Sequence, residues 1–132
     1  MIRLALLLVV LLVPRAYGQG PAPFDPRIVT SVYLEALGFM APRILEPVPV
    51  SQLTLWGLRG LNALDDSLNV TLHDGKVRLA SGPKVLFEAV APREESVVAW
   101  ANTAAAIAVA GVATSAGVRR AGTQGVIQSF FD

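Results

Sequence analysis

The sequence predicts a mainly helical α+β domain, with about four helices and an inserted β-hairpin or small three-stranded antiparallel sheet. Three observations lead there. Ile28, Val29, Val32, Tyr33, Ala36, Leu37 and Met40 recur at three- and four-residue spacing, which places them on one side of a helix. Leu53, Trp56, Gly57, Gly60, Leu61 and Leu64 repeat that pattern further on. The period then shortens to two: Leu68, Val70 and Leu72 alternate with polar positions, as do Val77 and Leu79 beyond Asp74-Gly75.

Composition narrows the class. The chain has 132 residues, 53% of them hydrophobic, and no cysteine. That length carries one small domain. Without cysteine there is neither a disulfide framework nor a thiolate metal site. The net charge of +1 comes without a basic cluster, so a nucleic-acid partner is not expected.

The N-terminus reads as a signal peptide over residues 1–18. Arg3 supplies the positive start, Leu4 to Val13 is an apolar run of ten, and Pro14 ends it. Ala16-Tyr17-Gly18 then sets small residues where a signal peptidase needs them. Ten apolar residues are short for a bilayer span. The expectation is export, to a periplasmic location. Removal of this leader takes Arg3 and Arg15 with it, leaving nine basic and ten acidic residues and a net charge of −1.

Residues 19–25 are rich in Gly and Pro and read as a flexible lead-in to a domain over 26–132. Asp25-Pro26 opens the first helix, about 26–40, as N-cap and first helical residue. Pro42 stops it, since the residue before a proline avoids helical angles. Ile44 to Pro49 is an extended Glu-Pro-Val entry to the second helix, about 51–65, with Ser51 as N-cap. Gly57 and Gly60 lower the propensity of that helix by about 1 kcal/mol each. They make sense if another element packs very close to their face.

Asp74-Gly75 is a tight-turn signal for a hairpin over about 68–80. Ser81-Gly82-Pro83 turns again, and residues 84–90 can add a third strand. Pro92-Arg93-Glu94-Glu95 opens a third helix, about 93–118, with acid in its first turn and Arg119-Arg120 at its end. Ser96 to Val118 is 23 residues without a charge. This is long enough to cross a membrane, but it is alanine-rich and carries Ser96, Asn102, Thr103, Thr114 and Ser115. A packed helix is expected, with small residues that admit close neighbours. Gly122-Thr123-Gln124-Gly125 breaks the chain, and a last amphipathic helix, about 125–132, carries Val126, Ile127, Phe130 and Phe131. It has no stop signal, so the natural chain is expected to continue.

The residues offer no catalytic, cofactor-binding or metal-binding constellation. His73 is the single histidine and stands at the predicted turn. Lys76 and Lys84 are expected to be surface lysines of the sheet; as general bases they would need a buried setting. Asn69-Val70-Thr71 fits a glycosylation acceptor but lies within a predicted strand. Asp65-Asp66 and Glu94-Glu95 have simpler roles at helix ends. No serine stands in a nucleophile-elbow context.

Two blocks of the chain resemble a known family. Leu45-Glu46-Pro47-Val48, then Leu58-Arg59-Gly60-Leu61 followed by Leu64-Asp65, are similar in order and spacing to the segment before the PDZ domain in the carboxyl-terminal processing, or tail-specific, serine peptidases. The similarity covers about 40 residues, Val29 to Asp65. Asp66 departs from it, standing where the family has proline. Gly125 to Asp132 looks like a second approach to the same Leu-Asp-Pro block. The resemblance implies a non-catalytic helical scaffold whose PDZ domain and catalytic Ser and Lys lie beyond residue 132. Its partners would be that remainder or a second copy of the chain. The alternative is a small exported interaction module without enzymatic activity. Apart from the leader, no membrane partner is expected, and no cofactor.

Overall fold

A computed structural model describes residues 23–43 and 48–132. The predicted leader, most of the lead-in and the Glu46-Pro47 turn lie outside the described residues. Among the described residues the domain is mainly helical α+β, with four α-helices and a three-stranded antiparallel sheet.

The first helix, α1 (Pro26–Met40), is built as its sequence predicts. The Asp25 side chain accepts from the Arg27 amide at 3.0 Å, and Pro26 opens the first turn. Val29, Tyr33 and Leu37, four residues apart, are buried. Ile28, expected on the apolar face, is half exposed. A short 3-10 turn, Ala41–Arg43, follows at Pro42.

The second helix differs from the expectation in three ways. It is α-helical only over Val50–Leu58 (α2) and tightens into a 3-10 helix over Arg59–Ala63. Ser51 is not its N-cap. Pro49 precedes the helix without a side-chain cap, and Ser51, inside the first turn, donates through its amide (2.8 Å) and hydroxyl (2.7 Å) to the Glu95 carboxylate. The cap thus comes from a distant acid, which satisfies an unpaired amide and suits the positive helix end. Finally, Trp56 is 52% exposed. The buried residues are Val50, Leu53, Thr54, Leu55, Gly57, Leu58 and Leu61, centred roughly 70° round the helix from the expected face.

The sheet follows the period-two pattern. β1 (Leu68–His73), β2 (Lys76–Ser81) and β3 (Lys84–Val90) lie in the order β1-β2-β3. Asp74 and Gly75 both have positive φ (51° and 71°), the requirement of a tight two-residue hairpin. Leu68 and Val70 of β1 and Val77 and Leu79 of β2 are buried. Leu79 faces Phe87 and Ala80 faces Val85, so Leu86 is an extra residue in β3, a bulge that bends this edge.

The third predicted helix is two. α3 (Val97–Thr114) starts at the N-cap Ser96, whose hydroxyl accepts from the Ala99 amide at 3.2 Å. Arg93-Glu94-Glu95 precede it rather than forming its first turn. It ends at Ser115, which is extended (φ −125°, ψ 122°) and caps α4 (Ala116–Phe131) through the Val118 amide at 3.3 Å. Arg119 and Arg120 therefore belong to α4. Arg119 folds back, donating from Nε to the Val112 carbonyl (3.2 Å) and from Nη2 to that of Ala113 (3.4 Å). That quenches carbonyls left unpaired at the end of α3. The predicted break appears inside α4, at Gly122 (φ 68°). The last predicted helix is the second half of α4.

α3 is long and apolar enough to cross a membrane by length and composition. In this fold it packs against α1, α2, α4 and the sheet. Trp100, Ala101, Ala104, Ile107, Ala108 and Gly111 are buried. Its alanines and glycine let neighbours approach, because side-chain size at the contact sets helix separation. One cluster joins Tyr33, Leu58, Leu61, Leu79, Trp100, Ile107, Val118 and Phe130, so both halves of the chain share a core.

Candidate functional site

The feature that stands out is a junction where two distant parts of the chain meet at glycines. A Cβ on Gly57 would run into the Phe130 ring, and one on Gly60 into the Ser129 carbonyl oxygen. The expectation that another element packs very close to this face is met by the second half of α4. Phe130 is buried there, its ring centroid 4.3 Å from that of Tyr33 in α1. A third close approach lies nearby, where a Cβ on Gly117 would meet the Leu64 carbonyl oxygen. Leu64, which closes the 3-10 turn, and the first turn of α4 are thereby pressed backbone to backbone.

Asp65 ties this junction to the sheet. Its Oδ2 accepts from Ser115 Oγ at 2.6 Å, and its Oδ1 accepts from the Ser67 amide (3.0 Å) and hydroxyl (2.7 Å). The Ser81 hydroxyl in turn donates to that of Ser67 at 3.0 Å. The Ser115 hydrogen bond first, then those from Ser67, hold the Asp65 carboxyl below the usual range by favouring its charged form. Asn62 Nδ2 donates to the carbonyls of Asp66 and Leu68, both at 3.0 Å, and fixes the exit from the 3-10 turn.

The other residues singled out in the sequence lie apart. His73 is exposed at the end of β1, with Nε2 3.2 Å from Asp74 Oδ2. Lys76 and Arg78 sit across the sheet from Glu88, at 3.5 and 2.8 Å, as a surface ion-pair group. Lys84 is exposed at the start of β3, and Asn69 is exposed on β1. No group of three His, Asp or Glu side chains comes together among the described residues. Burial pushes the Tyr33 phenol well above its ordinary range.

Two concavities flank the sheet. One, of about 500 Å³, is lined by residues that include Ser51, Lys76, Arg93, Glu95 and Trp100. The Trp100 indole Nε1 is buried without a hydrogen-bond partner. The other, of about 430 Å³, runs between β3 and α3 and has no charged residue in its lining.

Two partnerships have no clear local signature in the sequence. Glu95 reads from its neighbours as part of its own helix, and nothing local points it at Ser51, 44 residues away. Ser115 carried a signal that was there to find: it stands three residues before Val118, as an N-cap serine does. The fold and this junction define a mainly helical α+β domain organised by glycine-mediated close packing. The chain matches no family model, no curated protein and no solved structure.

Proposed function

We propose that this chain is the exported, non-catalytic N-terminal platform of a tail-specific serine peptidase, where it serves as an assembly scaffold. One observation carries the reading. Gly60 of the Leu58-Arg59-Gly60-Leu61 block is the seat of the Ser129–Phe130 backbone, so the second of the two resembling blocks is packed against the stretch that looks like its repeat. A platform needs such a rigid junction, because it must present its neighbours in one orientation. The reading gives no residue of this chain a catalytic role.

The coding sequence that follows Asp132 tests it. A Leu-Asp-Pro block, a PDZ domain and a region carrying Ser and Lys are expected there. A stop codon or an unrelated coding region overturns the reading.

The second reading, a small exported interaction module without enzymatic activity, is favoured by the uncharged groove between β3 and α3. It expects residues 19–132 to behave as a monomer with a sharp thermal transition. Aggregation or a broad transition counts against it.

A further inference from the structure

We infer that the concavity between the Asp74-Gly75 turn and the start of α3 binds a small organic acid: a carboxylate on an apolar ring that carries a second hydrogen-bond acceptor. The site stands whether or not the chain belongs to a peptidase. Trp100 is the residue that points to it. It lines the concavity, of about 500 Å³, and is 2% exposed. Its amide is used within the helix, donating to the Ser96 carbonyl at 3.0 Å. Its indole Nε1 has no partner among the described residues. The indole N–H is a donor and nothing else, and a buried donor left unpaired costs about 1–3 kcal/mol. Packing alone has no use for it, since a purely apolar ring would avoid that cost. An acceptor that enters the concavity gives the N–H its partner.

The rest of the lining selects the ligand. Its two acids are already engaged. The Glu95 oxygens accept from the hydroxyl and amide of Ser51, at 2.7 and 2.8 Å, and Asp74 Oδ2 lies 3.2 Å from His73 Nε2. Of its cations, Lys76 is 3.5 Å from Glu88. Arg93 is exposed and makes no ion pair among the described residues. The unmet groups are therefore a guanidinium and a buried N–H, both donors. A cation finds both carboxylates taken, whereas an organic carboxylate matches the guanidinium fork. Leu72, Val90 and Pro92 offer the ring an apolar wall. The rim is also built in advance. The Ala91 amide donates to the Gly75 carbonyl at 2.8 Å, which ties the exit of β3 to the hairpin turn, and the bonds from Ser51 to Glu95 tie α2 to the segment before α3. A ligand thus orders little on entry, which lowers the cost of binding, and the volume is that of an ordinary small-molecule site.

The test titrates the full chain with three probes of one shape, read by NMR at the indole N–H signals of Trp56 and Trp100. 4-Acetylbenzoate carries both acceptors, 4-acetylbenzamide lacks the charge, and 4-isopropylbenzoate lacks the ketone. 4-Acetylbenzoate is expected to shift the Trp100 signal downfield and slow its exchange with water, while that of the half-exposed Trp56 stays in place. The isopropyl probe should bind about tenfold more weakly, as expected for one lost buried hydrogen bond. Arg93→Gln should weaken 4-acetylbenzoate about fivefold, as expected for one solvated ion pair, and leave 4-acetylbenzamide unchanged. Trp100→Phe should bind the acetyl and isopropyl acids equally; if that variant does not fold, Arg93→Gln still decides. The inference is overturned if no probe moves the Trp100 signal, if the parent binds the acetyl and isopropyl acids equally, or if Arg93→Gln changes nothing. It also fails if a water cross-peak at the Trp100 indole persists with 4-acetylbenzoate present, since a resident water is then the partner of the N–H.

Discussion

The Glu95 carboxylate accepts hydrogen bonds from both the amide and the hydroxyl of Ser51. One acid from the segment before α3 thus closes the start of α2, and it does so where α2 lacks a side-chain cap of its own. Glu95→Ala should cost about 1 kcal/mol, the usual worth of an N-cap. Glu95→Gln should keep part of that, since it retains one acceptor but loses the charge at the helix end. Urea unfolding midpoints of the two variants check this; equal midpoints with the parent would show that the contact adds nothing.

The glycine junction makes a sharper claim. Gly60→Ala places a methyl group on the Ser129 carbonyl, which is backbone and cannot swing away. The expected loss is about 2–3 kcal/mol, in the range of overpacked cores. Gly38 is an internal control: in α1 a Cβ there would meet only Val97 Cγ1, at 4.0 Å. Gly38→Ala should therefore stabilise by roughly 0.5–1 kcal/mol. Thermal unfolding of the pair gives shifts of opposite sign if the packing is as described.

Acid sensitivity should centre on Asp65. Its carboxyl is held below its ordinary value in the folded state, chiefly by Ser115. A group depressed in this way contributes stability above its unfolded value, about 3.9, and loses it as pH falls through the folded value. Stability followed from pH 6 down to pH 2 should drop in that window. In Asp65→Asn the drop should be shallower and the plateau at pH 6 lower. An unchanged pH profile in Asp65→Asn would contradict the hydrogen-bond assignment.

The Asp74-Gly75 turn sets the register of the sheet. Gly75 has φ 71° and open space around it, so backbone conformation alone penalises a side chain there. Gly75→Ala should cost about 1 kcal/mol, and Asp74→Asn should be close to neutral because Asn accepts the same conformation. Hydrogen exchange of the β1–β2 amides reports the difference, with faster exchange expected only in Gly75→Ala.

Elements whose signals are local are legible in the chain. Asp25-Pro26 set the start of α1, Asp74-Gly75 set the hairpin, and alternation through Leu68, Val70, Val77 and Leu79 set which face of the sheet is buried. The two glycines at 57 and 60 also announced a close neighbour, because on a helix face they have little other physical use. What the sequence could not supply was identity at a distance. Ser51 looks like an N-cap from its neighbours, yet Glu95 does the capping. The uncharged run from Ser96 to Val118 looks like one helix, yet Ser115 leaves helical angles to bond Asp65 while Arg119 closes the end of α3. Trp56 shares the spacing of the apolar face and still half faces solvent, because the position of Phe130 decides where that face is centred. Glu95, Asp65 and Phe130 each lie tens of residues from the group they decide. Periodicity reports which residues need burial or a partner, and only the folded chain decides which group meets that need.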